Sequence, residues 1–326
     1  MKALVLEEFG SDFKIKNINK PVPADGEVLV RIKASGVNML DTKIKAGKAA
    51  HAQVSTPAIL GIDMAGIVES VGKNVTGFTA GDEVYGMTGG IAGIQGSLAE
   101  YAAVDARLLA IKPSTLSFKE AAAIPLAFIT AWEGLVDRAK IAKGMTVLIH
   151  GGAGSVGHIA IQLAKSFGTE IYATGSAENL EAIQAYGVTA IDYNTVLPEE
   201  YVELYTEGKG FDVILDTVGG AVLDNSFKAV KKYTGHVVSI LGWGAHSLAP
   251  LSFRGATYSG VFTLMPLLTG ENIEHHAEIL TEATKLANAG KLKAVVNDTD
   301  YSFETIEEAY EGLENHSIKN RAIVLI

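Results

Sequence analysis

The sequence predicts an α/β protein of two parts: a β-rich unit built from both ends of the chain, and a doubly wound parallel-sheet unit inserted between them. Three observations predict it. The first third holds short β-like runs broken by Gly and Pro, the middle alternates strands with helices, and the tail leaves that rhythm again.

Lys2–Leu6, Val28–Ser35, Ile62–Val71, Asp82–Met87 and Leu98–Val104 are the β-like runs, punctuated by Pro21, Pro23, Gly26, Gly36, Gly77 and Gly81. No helical period separates them, so they read as an irregular, barrel-like unit. The character changes near Phe118–Ala131. Thr146–Ile149 is strand-like. Val156, Ile159, Ala160, Leu163 and Phe167 then recur at helical spacing, and Gly168 stops them. Ile171–Thr174 is the next strand, and a helix through Leu180 and Ile183 follows, ending near Gly187. Ala190–Tyr193, Phe211–Asp216 and His236–Leu241 continue the series. Such alternation implies a parallel sheet with helices on both faces. In the tail, Ile279–Ala289 and Phe303–Leu313 read as helices, and Ala294–Asn297 and Ala322–Ile326 as strands. The expected division is residues 1–122, then 123–264 for the inserted unit, then 265–326 for the return.

Composition narrows the function classes. A net charge of −10 with no Lys/Arg block argues against a nucleic-acid partner, which needs a basic face. Zero cysteines remove disulfides, thiol nucleophiles and every Cys-based zinc site. Glu7 and Glu8 stand where a signal peptide needs an apolar run, and no stretch approaches the ~20 apolar residues that span a bilayer. The expected setting is the cytoplasm, without a membrane partner.

Gly152-Ala153-Gly154-Ser155-Val156-Gly157 fits G-x-G-x-x-G. Alone the pattern is weak in a chain with 35 glycines. Here a strand, Val147–His150, enters the loop and an amphipathic helix leaves it. In such a loop the first glycine makes the tight turn. The second lets backbone approach a pyrophosphate, and the third lets helix and strand pack closely. The helix N-terminus offers free N–H donors and partial positive charge to the phosphates. An NAD site places an acid about 20 residues on, at the end of the next strand. Here Thr174-Gly175-Ser176 carries none, and Ser176 is suited to donate to a 2′-phosphate. NADPH is the expected cofactor. NADH is the alternative, through Glu178 at the ribose.

Together these residues are similar to the medium-chain dehydrogenase/reductase superfamily, and within it to the quinone oxidoreductase (zeta-crystallin-like) branch. The markers are Ser35-Gly36-Val37-Asn38 with Asp41, Leu60 through Val68, Val71-Gly72, and Phe78 through Val84. Gly96-Ser97-Leu98-Ala99-Glu100-Tyr101, Glu120 through Pro125, Thr130-Ala131-Trp132 and the glycine loop complete them, across nearly the whole chain. The resemblance implies a GroES-like β domain with an inserted Rossmann domain, and an active site in the cleft between them.

It also implies a zinc-free site. Zinc-dependent members place Cys where this chain has Asn38, His and an acid where it has Ile62 and Asp63, and Cys near Leu126. Without a Lewis acid the acceptor must be easily reduced, a quinone or an alkene conjugated to a carbonyl. The alternatives are a zinc-free alcohol or aldehyde dehydrogenase, and a protein that holds a dinucleotide without turnover. By family position, Asn38 contributes its amide near the nicotinamide or substrate oxygen, and Thr130 contacts the nicotinamide. Val156 supports the cofactor, Ser176 and Tyr193 surround the adenosine phosphate, and Leu241, Gly242 and Phe262 border the nicotinamide. Asp41 is expected to stabilise its local loop.

Two departures stand out. The stretch Thr42–His51, read as a loop, lacks the branch's tyrosines, and Asn179 replaces a basic residue. Lys43 or His51 in that stretch is a candidate contact for a substrate oxygen. His275 and His276, adjacent on a helix, are expected to face solvent on different sides. Family members commonly pair into homodimers through the Rossmann edge, here Tyr258–Thr263.

Overall fold

The computed structural model describes all 326 residues. The chain divides into two units, Met1–Leu126 with Leu264–Ile326, and Ala127–Thr263. No helix is long and apolar enough to cross a membrane.

In the first unit the strands are β1 (Lys2–Val5), β2 (Lys14–Asn17), β3 (Glu27–Gly36), β4 (Asp63–Val71), β5 (Glu83–Met87), β6 (Tyr101–Asp105) and β7 (Leu109–Ile111). From the far end of the chain comes β14 (Ile323–Leu325). β1 pairs β2, and the other six form one antiparallel sheet. β3 is long enough to serve three partners. Its first half takes β6, its last residues take β14 with Ile323 opposite Gly36, and β4 runs along its other edge. The two chain ends therefore share one sheet. Gly36 permits a close approach: a Cβ there would lie 2.3 Å from the Ala122 carbonyl oxygen.

The helices of this unit are α1 (Met39–Lys45), α2 (Phe118–Ala121), α9 (Met265–Thr269), α10 (Glu274–Asn288) and α11 (Ile306–Glu314). α10 is anchored by the buried Tyr85, whose hydroxyl donates to the Leu280 carbonyl at 2.7 Å. α3 (Pro125–Trp132) carries the chain from the first unit into the second.

Here the structure corrects three expectations. Thr42–His51 is not a loop throughout, because its first residues complete α1. Ala294–Asn297 is not a strand. It makes one isolated bridge, Val296 to Arg321. His276 does not face solvent but is fully buried. It falls on the same stripe of α10 as Ile279, Leu280, Ala283 and Ala287, so the helical period carries it inward with them. His275, off that stripe, is half-buried and paired with Glu278.

The second unit contains β8 (Thr146–Ile149), α4 (Gly157–Ser166), β9 (Glu170–Gly175), α5 (Leu180–Gln184), β10 (Thr189–Asp192) and α6 (Pro198–Thr206). It continues with β11 (Val213–Asp216), α7 (Ala221–Ala229), β12 (His236–Ser239), α8 (Ala249–Arg254) and β13 (Thr257–Gly260). All six strands are parallel, in the order β10-β9-β8-β11-β12-β13. This is the doubly wound order, in which the chain starts in the middle and builds outward in both directions. Leu148, Tyr172, Ile214 and Val237 of the strands pack with Leu223 and Phe227 of α7 in a buried core. Between β8 and β11 the winding reverses. At such a switch point the loops at the strand ends diverge and leave a crevice for ligands.

Candidate active site

In the second unit, β8 ends at Ile149 and the glycine loop follows directly. The positive φ of the turn belongs to Gly151 (φ 70°), one residue before the hexad's first glycine. Gly152 has a different task from the one expected of it. A Cβ there would lie 2.8 Å from the Cβ of Ala173, so it lets the loop nest against β9. Gly157 opens α4, where a Cβ would lie 2.1 Å from the Gly151 oxygen, and it holds the helix onto the loop. Ala153, Gly154 and Ser155 are exposed at the crest, while Val156 at the N-cap is half-buried. Gly154 is the least crowded of the three hexad glycines, its nearest contact for a Cβ being the Gly151 oxygen at 3.2 Å. An open crest with small residues before a ten-residue helix fits a diphosphate, which main-chain amides and the helix dipole would hold.

At the end of β9, the Asn179 amide donates to the Ser176 hydroxyl at 2.9 Å. The Tyr193 backbone N–H donates to the Gly175 carbonyl at 3.3 Å. Ser176, Asn179 and the exposed Tyr193 thus belong to adjoining strand ends, and Glu178 is exposed beside them. Leu241 and Gly242 follow β12, Phe262 follows β13, and Trp243 meets Phe262 edge-on at 6.3 Å. Thr130 is buried in α3.

The first unit holds a buried polar cluster. β3 ends at Gly36 and α1 begins after Asn38, so Asn38 is the N-cap. Its backbone N–H donates to the Asp41 carboxylate at 2.8 Å, which fastens the first turn. Asp41 therefore has the local structural position expected of it. The Asn38 amide nitrogen donates to Asp63 at 3.2 Å, and its oxygen accepts from the Arg321 guanidinium. Arg321 also pairs with Asp63 at 2.7 Å, and the Leu126 N–H donates to the other Asp63 oxygen at 2.9 Å. Asn38, Asp63 and Arg321 are 3%, 0% and 6% exposed.

Both ends of the Asn38 amide thus have partners inside the unit. Lys43 is exposed on α1, whose buried residues are Asp41, Thr42 and Ile44. His51 is half-buried on a separate short 3-10 turn.

The cluster sets one cation against two carboxylates. Burial pushes Asp41 up to about 7 and Asp63 up to about 6, with Arg321 opposing the rise in both. Asp63, in direct contact with the guanidinium, is the one that carries the charge at neutral pH. Asp41 keeps a buried oxygen with no hydrogen-bond partner, so it is the costlier carboxylate to ionise.

Where zinc-dependent members of the family place a Cys, and an acid beside a His, this chain has Asn38 and Asp63. Asn38 and Asp63 are already bonded to a guanidinium, and a second cation beside it would be repelled. No group of three or more His, Cys, Asp or Glu residues is arranged to hold a metal ion. Sequence reasoning quoted Asp63 as a family marker and as the acid of the zinc comparison, gave it no role here, and missed Arg321. A lone Arg ahead of a final strand has no spacing that signals a partner 258 residues away.

Comparison with known proteins agrees with this geometry. Residues 24–114 match the alcohol dehydrogenase GroES-like domain family, and residues 188–321 match the zinc-binding dehydrogenase family. The chain is 35% identical to 2-methylene-furan-3-one reductase of Solanum lycopersicum, covering 99% of this chain and 79% of that protein. It is 32% identical, with the same coverage, to the chloroplastic NADPH-dependent alkenal/one oxidoreductase of Arabidopsis thaliana. It is 28% identical to the quinone oxidoreductase of Homo sapiens, over 100% and 98% of the two chains. An alcohol dehydrogenase superfamily protein of Novosphingobium aromaticivorans superimposes with a TM-score of 0.98 at 50% identity, covering 100% and 99%. A GroES-like sheet closed by both chain ends, a Rossmann sheet wound about its glycine loop and full-length likeness to these oxidoreductases place the chain in the medium-chain dehydrogenase/reductase superfamily, in its quinone oxidoreductase branch.

Proposed function

We propose that the protein is an NADPH-dependent reductase of quinones or of alkenes conjugated to a carbonyl, working without zinc. The observation that carries this reading is the Arg321 guanidinium, which binds the side chains at two of the positions where zinc-dependent relatives build their metal centre. With that place taken by a fixed cation, no Lewis acid polarises an alcohol or an isolated carbonyl. An acceptor that is already electrophilic needs none. The names of the three relatives point the same way, to a methylene ketone, an alkenal or alkenone, and a quinone.

When bound, the reduced nicotinamide supplies the hydride. The chain's part is to hold and orient it. The amides at the crest of Ala153–Ser155 and the start of α4 take the diphosphate. Ser176, Asn179 and Tyr193 take the adenosine end, where the lack of an acid on β9 leaves room for a 2′-phosphate. Val156 supports the cofactor beside the glycine loop, Thr130 contacts the nicotinamide, and Leu241, Gly242 and Phe262 border it. Lys43 remains the candidate contact for an acceptor oxygen. Lys43→Ala lowering kcat/KM on the best acceptor supports that role, and unchanged kinetics removes it.

The test is a titration of metal-free protein with NADPH and NADH, followed by an acceptor panel. The expected outcome is tighter binding of NADPH, reduction of quinones or cyclic enones, no oxidation of primary alcohols, and no effect of a chelator. Failure to bind either dinucleotide, or activity abolished by the chelator, overturns it.

A further inference from the structure

Four polar side chains stand in one row across the C-terminal end of the parallel sheet. The register puts Asp216 beside Ser239, and the pairs Ile149–Leu215 and Ile149–Ala173 put His150 between Asp216 and Thr174 one step further on. Side chains in one row of a parallel sheet share a face. Thr174, His150, Asp216 and Ser239 are at most 4% exposed. A run of buried polar groups in a sheet otherwise filled by Val, Ile and Leu is costly unless every member is bonded, so its bonds show its purpose.

Those bonds go to the turns, each to its opening residues. Thr174 Oγ1 accepts the N–H of Gly151, the first residue of the glycine loop, at 3.2 Å, and lies 3.2 Å from His150 Nδ1. Asp216 Oδ1 accepts the N–H groups of Val218 and Gly219, at 3.0 and 2.9 Å, in the turn after β11. Its Oδ2 accepts from the Ser239 hydroxyl at 2.7 Å, and Ser239 Oγ accepts the Leu241 N–H at 3.1 Å, in the turn after β12. The Thr217 hydroxyl donates to the His150 carbonyl at 2.6 Å and ties the β8 and β11 turns together. Gly219 and Leu241 close the frame, since a Cβ on Gly219 would lie 2.6 Å from the Leu241 oxygen.

We infer that Thr174, Asp216 and Ser239 are positioning residues for the dinucleotide site, pinning the first amides of the turns after β8, β11 and β12 into one frame. The inference rests on the proposed dinucleotide reading and deepens it. None of the three is assigned contact with the ligand. They act through the turns, fixing where the following amides point before any ligand arrives. Asp216 accepts three of these hydrogen bonds, two from the turn after β11 and one from Ser239, which links it to the turn after β12, and that makes it the central member.

The experiment compares Thr174→Val, Asp216→Asn and Ser239→Ala with the unchanged full-length protein. NADPH dissociation constants come from fluorescence titration, and KM is measured for NADPH and for the best acceptor. Thr174→Val and Ser239→Ala each delete a bond to a turn, Asp216→Asn reverses the bond to Ser239 that joins two turns, and the expected effect is a rise of about tenfold in the NADPH Kd and KM with the acceptor KM unchanged. A residue that merely supports the fold gives the opposite signature, fewer active molecules at unchanged KM. That result, or an unchanged Kd, overturns the inference. Should Asp216→Asn fail to fold, the near-isosteric Thr174→Val and the small Ser239→Ala decide the matter alone. Unchanged protein that binds no dinucleotide overturns the functional reading itself. Binding by the unchanged protein, matched equally by the variants, overturns this inference only.

Discussion

At Arg321 one guanidinium answers two buried carboxylates, and its backbone is held by Val295 and Asn297, which exchange hydrogen bonds with it at 3.3 and 2.8 Å. Removing it leaves Asp63 buried and uncompensated. Arg321→Met is expected to destabilise the protein by about 3–5 kcal/mol near neutral pH, read by chemical denaturation. The loss should shrink as the pH falls, because protonation of Asp63 removes the orphaned charge, and without Arg321 to oppose burial that protonation sets in above the value of about 6 it has in the unchanged protein. Asp41 gives a separate pH signature. Its folded value is raised, so the native state holds the proton longer than the unfolded chain. Its contribution is fully present below the ordinary 3.8 and is lost as pH rises toward about 7. Asp41→Asn should flatten the stability profile over that window, and a profile unchanged by the substitution contradicts the assignment. None of this cluster was legible as a cluster in the sequence. Asn38 and Asp63 could be quoted as family markers, but their bonding depends on a residue from the opposite end of the chain.

Among the elements, the glycine loop was the most legible, because strand, turn and helix are contiguous and each glycine answers a local demand. The role of its first glycine was not, since Gly151 makes the turn and Gly152 nests against Ala173 of the neighbouring strand. Gly157→Ala and Gly154→Ala should differ. The first forces a Cβ to within 2.1 Å of the Gly151 oxygen, so both the melting temperature and NADPH binding should fall. The second meets only the 3.2 Å contact, so the fold should persist while the crest loses room for a phosphate. Equal effects of the two on melting would argue against this division.

The loop after β12 has its own titration. His246 Nδ1 lies 2.9 Å from the Asp224 carboxylate and Nε2 lies 3.2 Å from the Trp243 carbonyl oxygen. Both partners accept, so keeping both bonds requires the imidazolium. Asp224 chiefly, with the Trp243 carbonyl and Asp216 assisting, holds His246 above its ordinary 6.5. The doubly bonded latch is present below that value and is lost as pH rises through the raised one. The fluorescence of the exposed Trp243 should change across that rise, and His246→Ala should abolish the change. Helices α6 and α7 went unread in the sequence, because each is a short segment of mixed polarity whose few buried residues become a stripe only against the sheet.

For the whole molecule, alternation in the middle of the chain and its loss at both ends were enough to announce an inserted parallel sheet. The pairing of β14 with β3 could not be read, because three tail residues carry no mark of their partner. The same topology leaves one consequence open at the sheet's far edge. β13 pairs only with β12, so its outer side presents unpaired backbone groups. Thr257 and Val261 turn their N–H groups inward to Gly235 and Ser239, which leaves those of Tyr258 and Gly260 directed outward by alternation. Beside this strand, Phe253 and Tyr233 are 88% and 86% exposed, and the Tyr233 N–H is bonded to the Arg254 carbonyl at 2.8 Å. Two large exposed aromatics near an open edge suit a self-complementary contact about a twofold axis, where each copy offers the same strand and rings to the other. The expected solution mass is twice 34.3 kDa, measured by light scattering on a sizing column. The double variant Tyr233→Glu with Phe253→Glu places like charges face to face across that axis. It should run as a monomer while keeping its NADPH affinity, since neither ring belongs to the turns at the C-terminal ends of β8, β11 and β12. A wild-type protein that runs as a monomer removes the edge-pairing proposal and leaves the proposed chemistry untouched.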